Sequence, residues 1–263
     1  RMILSNNQLK KKLEYHYKAY DKTKISPDPL EFLHRYKDPR DIEISGLISS
    51  TFAFGNIKQI IVILEKLHKI MGKSPYEYIE KFNIEKQRKK FNGLYHRFFT
   101  TEDILTLFLV LHEIIITYGS IKYMFLMYYF DRDENLKSCI SLFSQNMTHR
   151  FIKHSELTNG LKFMFPDPAK GSACKRINLF LRWMIRKDEL DFGLWTEFST
   201  DKLIIPIDTH IAKISVELGL TKMKTVSWLM AEEITANLKK FDKIDPIKYD
   251  FALCHIGMRK ETF

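Results

Sequence analysis

Two side chains in this sequence are placed to do covalent chemistry together, Lys175 and Asp208. Lys175 opens the run KRINLFLRWMIR, in which Ile177, Phe180, Leu181, Met184 and Ile185 recur at helical spacing and form one apolar face. Lys175, Arg182 and Arg186 share another face. A lysine in the first turn of a buried helix, beside further cations, is expected to give up its proton more easily than usual. Its amine is then a better nucleophile. Backbone N–H groups of the same turn could hold a phosphate. A solvated basic face explains these residues without any chemistry. Asp208, within Pro206-Ile207-Asp208-Thr209-His210, is the natural N-cap of a helix that continues through Ile211, Ile214 and Leu218 and stops at Gly219. A carboxylate there is fixed in place and kept ionised by the helix dipole, or it is a cap and nothing more.

The elements that must position this pair all read as helices. A basic amphipathic helix over residues 7–22 carries Leu9, Leu13, Tyr17 and Tyr20 on one side. Pro27-Asp28-Pro29 and Asp38-Pro39 start two more, the second with the small, apolar middle of a buried helix. Phe54-Gly55-Asn56 turns the chain into a helix from Ile57 to Met71, and Pro75 opens the next. Residues 84–100 are basic (Lys86, Arg88, Lys89, Lys90, His96, Arg97) with aromatics interleaved, which suits a phosphate-lining surface or a solvated helix face. One or two apolar helices over 101–130, another over 134–150 and a short one over 155–163 lead to the loop Phe165-Pro166-Asp167-Pro168. Trp183, Phe192, Trp195 and Trp228 suit either core or stacking platform. No repeat, low-complexity linker or composition break divides the chain. Residues 1–263 therefore read as one all-α unit, with the working segment at about 165–219.

Composition agrees with helices, since glycine is scarce and strand-like alternation rare. The net charge of +10 suits a polyanion, either nucleic acid or an acidic membrane surface, unless it is the background of a lysine-rich proteome. Cys139, Cys174 and Cys254 are odd in number and widely spaced, so neither a disulfide framework nor a zinc or iron–sulfur site is implied. No apolar stretch reaches spanning length, the longest (Ile104 to Tyr118) being broken by His112 and Glu113. The first apolar run is too short for a signal peptide. A cytoplasmic, nucleoid-associated protein is expected.

The GSACK run and the later IPIDTHI run resemble the helix-hairpin-helix DNA glycosylase superfamily. Its hairpin reads glycine-x-glycine-x-lysine, and its later motif is an aspartate followed by a small residue and a histidine. The order of the two motifs agrees as well. Three departures stand out. Ala173 takes the place of the second glycine. The insert KDELDFGLWTEFSTDK lengthens the lysine-to-aspartate separation, in the manner of the archaeal branch specialised for 8-oxoguanine. The four-cysteine loop of the endonuclease III branch is absent. Most of the chain also resembles a group of uncharacterised bacterial proteins, through PDPLEF (Pro27 to Phe32), Asp38 to Glu43, the FLRWMIR segment continuing to GLW (Phe180 to Trp195) and PIDTH (Pro206 to His210).

The glycosylase resemblance implies two helical subdomains flanking a DNA-binding cleft, and a bifunctional DNA N-glycosylase/AP lyase of base excision repair. Its substrate would be an oxidised purine, 8-oxoguanine first, flipped out of the duplex. By that resemblance Lys175 attacks C1′ and forms a Schiff base, Asp208 stabilises positive charge on the sugar, and β-elimination nicks the strand. Gly171, Ser172 and Ala173 would hold a phosphate, with Arg182 a further DNA contact. Asn56 would fill the gap left by the flipped base, or be a turn-forming asparagine. Leu179, Asp250 and Cys254 would line the base pocket, Asp250 serving equally well as a capping or surface residue. No metal or other cofactor is required. The expected partner is double-stranded DNA carrying a damaged base, bound by a monomer away from any membrane. The alternatives are a monofunctional glycosylase for another lesion, a catalytically silent helical DNA-binding protein, and a helical scaffold whose charge is background.

Overall fold

A computed structural model describes residues 5–19, 21–251, 253 and 254, and every regular element among them is a helix. In chain order the α-helices are α1 (Asn6–Ala19), α2 (Pro39–Thr51), α3 (Ile57–Met71), α4 (Pro75–Glu80), α5 (Ile84–Phe91), α6 (Thr101–Tyr118), α7 (Ile121–Leu126), α8 (Lys137–His154), α9 (Asn159–Met164), α10 (Lys175–Ile185), α11 (Thr209–Glu217) and α12 (Trp228–Leu238). Among the described residues no helix is long and apolar enough to cross a membrane. The chain gathers into two compact units.

One unit, residues 26–133 with 137–167, holds α2 to α9. Its inner element is α2, launched by the Asp38 cap and Pro39 and buried along almost its whole length. Such a helix must satisfy its polar residues internally, and it does so except at the Ser49 hydroxyl, which is buried without a partner. Ser50 and Thr51 donate their hydroxyls to the Leu47 carbonyl at 3.1 and 2.7 Å. The buried carboxylates cap neighbouring helices. Asp41 accepts from the Ser74 hydroxyl at 2.7 Å and the Tyr76 amide at 2.9 Å, at the start of α4. Glu43 accepts from the Ile121 and Lys122 amides at 2.9 and 3.1 Å, at the start of α7. The apolar stretch over 101–130 is two helices because Gly119, at φ 76°, takes the left-handed turn that ends α6.

The other unit holds α1, residues 134–136 and the described chain from Pro168 onward. Here α10 is the inner helix, with Phe180, Leu181, Trp183 and Met184 fully buried. The segment after it folds back along its end, where the Phe192 amide donates to the Trp183 carbonyl and the Trp195 amide to that of Met184, both at 2.9 Å. Gly193 makes this possible, since a Cβ there would lie 2.6 Å from Lys187 Cβ, and its φ is 59°. Trp195 packs edge-on against Phe180, with ring centres 5.2 Å apart. Trp183, Trp195 and Trp228 are all fully buried, so the tryptophans are core.

Candidate functional site

Lys175 is the first residue of α10, and its Nζ donates to Asp208 Oδ2 at 2.6 Å. Asp208 caps α11 with its other oxygen, Oδ1 accepting the His210 and Ile211 amides at 2.9 and 3.0 Å. The pair thus joins the N-termini of two helices. Both side chains keep an opening to solvent, Lys175 at 33% and Asp208 at 25% of full exposure. The start of α10 differs from that of α11. Its capping residue is Cys174 in a left-handed conformation (φ 49°), which supplies no side-chain cap. The preceding turn holds the Gly171 carbonyl to the Trp228 amide at 3.0 Å and the Ser172 hydroxyl to the Cys174 amide at 3.2 Å.

The electrostatics of Lys175 run opposite to expectation. Burial alone would lower its pKa, but the Asp208 carboxylate dominates, with lesser help from Cys254 and Asp250, and the amine titrates above its ordinary range. Burial would raise Asp208, yet the Lys175 charge and the three hydrogen bonds it accepts hold it below the usual carboxylate range. The resting pair is therefore an ammonium and a carboxylate. The expected neighbours, Arg182 and Arg186, spend their charges elsewhere.

Arg182 is buried, bonding Asp191 Oδ1 through Nε at 3.3 Å and Nη2 at 3.2 Å, and Asp250 through Nη1. Arg186 binds Asp188 at 2.6 Å, Asp191 at 2.7 Å and Asp245 at 2.8 Å, and donates to the Tyr17 hydroxyl at 3.1 Å. Burial opposes both guanidinium charges, but the surrounding carboxylates outweigh it and raise their pKa values. Burial lifts Asp250 to about 6 even against Arg182. This corrects the expected DNA contact at Arg182, because only 3% of that side chain reaches solvent. It also assigns Asp250 an ion-pair role inside the unit. The acids that neutralise the arginines come partly from the insert KDELDFG, whose Asp188 and Asp191 are the signal that spacing arguments passed over.

A family model described as a protein of unknown function, DUF2400, matches residues 28–259. The chain belongs to the DUF2400 family. No curated protein and no solved structure matches it. The DUF2400 match overturns the assignment to the helix-hairpin-helix glycosylase superfamily, with which no match is found. Two of the residues that carried that resemblance have local tasks, since Gly171 adopts φ 87° in a turn and Asp208 caps a helix.

Within the DUF2400 chain the remaining expected site residues fall as follows. Gly171 is exposed, Ser172 half-buried and Ala173 buried, all in the turn before Lys175. Leu179 lies half-buried one turn further along α10, and Cys254 is half-buried and electrostatically coupled to Lys175. Asn56 belongs to the other unit, where its side chain accepts the Lys58 amide at 2.9 Å and caps α3. A small hollow bounded by Tyr17, Arg186, Asp188, Leu190, Lys248 and Phe251 adjoins the arginine network and does not include Lys175. Among the described residues no group of three or more His, Cys, Asp or Glu could hold a metal ion.

Proposed function

We propose that this protein removes a damaged base from DNA and cleaves the strand at the resulting site, with Lys175 as the amine and Asp208 as its carboxylate partner. The observation that carries the reading is the 2.6 Å contact between Nζ of the partly exposed Lys175 side chain and an Asp208 carboxylate held by a helix N-terminus. The start of α10 beside the ammonium supports phosphate binding next to the nucleophile. The charge of +10 supports a polyanionic partner.

The chemistry must begin by removing the proton from Lys175. As the bond from C1′ to the base stretches, positive charge grows on the sugar. That charge is attracted to Asp208 and disfavours the neighbouring ammonium, so the two helix ends favour amine release as the base leaves. The ammonium proton passes by way of the Asp208 carboxylate to the base, which departs with the bonding pair as the neutral amine bonds C1′. A second amine proton moves to O4′ as the ring opens to the Schiff base. Loss of a C2′ proton to the Asp208 carboxylate expels the 3′ phosphate, and water later frees Lys175. An oxidised purine, 8-oxoguanine, is the substrate to test first.

A second reading, a DNA-binding protein without catalysis, is favoured by the raised pKa of Lys175, which keeps it cationic at rest. Duplex oligonucleotides carrying 8-oxoguanine, incubated with borohydride, separate the two. A covalent adduct that vanishes in Lys175→Gln is the expected result. Base release with no adduct would make the enzyme monofunctional. Neither product across a panel of lesions would leave the binding protein.

A further inference from the structure

We propose that the turn carrying Arg97 and Phe98 is a stacking surface for unpaired bases of a nucleic-acid strand. It rests on the reading above only for the class of ligand. The turn has a two-residue tip between His96 and Phe99, whose amides and carbonyls exchange hydrogen bonds at 3.0 and 2.9 Å. Both flanking residues are anchored inward. His96 Nε2 bonds the Phe54 carbonyl at 3.0 Å, and the fully buried Phe99 lies edge-on to Phe52 and Phe54, with ring centres 5.4 and 4.8 Å apart.

The tip residues are exposed but rest on the same aromatic cluster, with the Phe98 ring centre 5.4 Å from that of Phe54 and 5.6 Å from that of Phe99. Phe98 is 42% exposed and meets Phe163, 39% exposed, at 4.7 Å with the ring planes 80° apart. Arg97 is exposed and holds φ 55°, at the first tip position where such hairpins favour glycine. Its guanidinium lies 5.8 Å from the Phe54 ring centre, and its side chain runs so close over Gly55 that a Cβ there would approach within 2.8 Å. A rigid base therefore presents an arginine and two half-exposed, perpendicular rings.

Exposed Lys162 adjoins Phe163 on α9, and α5 ends in Arg88, Lys89 and Lys90 shortly before the turn. Arg88 is paired with Glu102, and exposed Glu156 precedes α9, so the positive balance is local and moderate. Aromatic faces beside cations are what a single strand needs, because every base has a π-face and every phosphate a charge. A second copy of the chain is a poorer occupant. A stable dimer buries about 800 Å² per partner, more than two half-exposed phenylalanines supply.

The test uses the full chain and a single-stranded oligonucleotide containing 2-aminopurine, whose fluorescence reports stacking. Phe98→Ala is expected to weaken binding about tenfold, the size of one lost base stack, and to relieve the quenching. Phe98→Trp should restore both. Arg97→Gly suits the left-handed backbone, so it retains the fold, and should reduce the salt slope of binding by about 0.7. Unchanged binding and quenching in folded Phe98→Ala and Arg97→Gly would overturn the surface. So would a dimer that Phe98→Ala dissociates without altering oligonucleotide binding. If borohydride yields no adduct while quenching still depends on Phe98, the Lys175 chemistry fails and the surface stands. If the adduct forms and Phe98→Ala binds normally, the reverse holds.

Discussion

Asp208 divides its two oxygens between two tasks, Oδ1 closing the start of α11 and Oδ2 receiving the Lys175 ammonium at 2.6 Å. Structure and chemistry therefore meet on one carboxylate, and substitution can separate them.

Asparagine caps a helix nearly as well as aspartate but carries no charge, whereas alanine does neither. Asp208→Asn should lose about 1 kcal/mol with the half-exposed ion pair. Asp208→Ala should lose roughly 1 kcal/mol more with the cap. Both should lose most adduct formation. Urea denaturation of the three proteins checks the stability order. Equal stability of the two variants would mean that the cap contributes nothing.

The pH dependence of trapping follows from the raised pKa of Lys175. At neutral pH the amine is protonated, so adduct yield in the wild-type protein should climb with pH into the alkaline range. Removing the Asp208 charge removes the main cause of the shift. The limb in Asp208→Asn should then move to lower pH even though its maximum yield falls. A limb that stays in place would show that another group sets the titration.

Arg182 offers a test of burial against binding. Taking one partner from a buried ion pair strands the others, at a cost of about 3–5 kcal/mol. Arg182→Met should be destabilised on that scale in thermal or urea melts, because Asp191 and Asp250 lose their common partner. Wild-type stability with a weaker salt dependence of DNA binding would instead place the guanidinium at the surface.

His68 makes overall stability depend on pH. Its Nδ1 donates to the Leu64 carbonyl at 2.9 Å, so Nε2 carries the lone pair that accepts from the Ser45 hydroxyl at 2.8 Å. Burial lowers its pKa from 6.5 to about 4. The folded pKa lies below the unfolded one, so this contribution is fully present above pH 6.5 and is lost as pH falls toward 4. The loss is about 3 kcal/mol. His68→Gln should flatten the stability profile between pH 6.5 and 4. A profile that stays steep there would assign the loss to other groups.

Local signals made much of this architecture legible. Asp38, Asn56 and Asp208 precede their helices and cap them, since a cap is a contact between near neighbours in sequence. Lys175 and Asp208 were recognisable as helix-start residues for the same reason. What periodicity could not tell was the environment of each face. Arg182 and Arg186 share a face with spacing that suits a solvated stripe, yet their partners come from the insert and from Asp245 and Asp250. Long-range pairing reversed the expected pKa of Lys175, and short motifs pointed to a superfamily that the DUF2400 match does not support.

The carboxylates of α2 carry a kinetic consequence. The Ile121 amide at the head of α7 is bonded to Glu43 across 78 residues. Exchange of that proton with solvent deuterium requires the bond to Glu43 to break, so its rate reports the parting of the start of α7 from α2, readable at one proton.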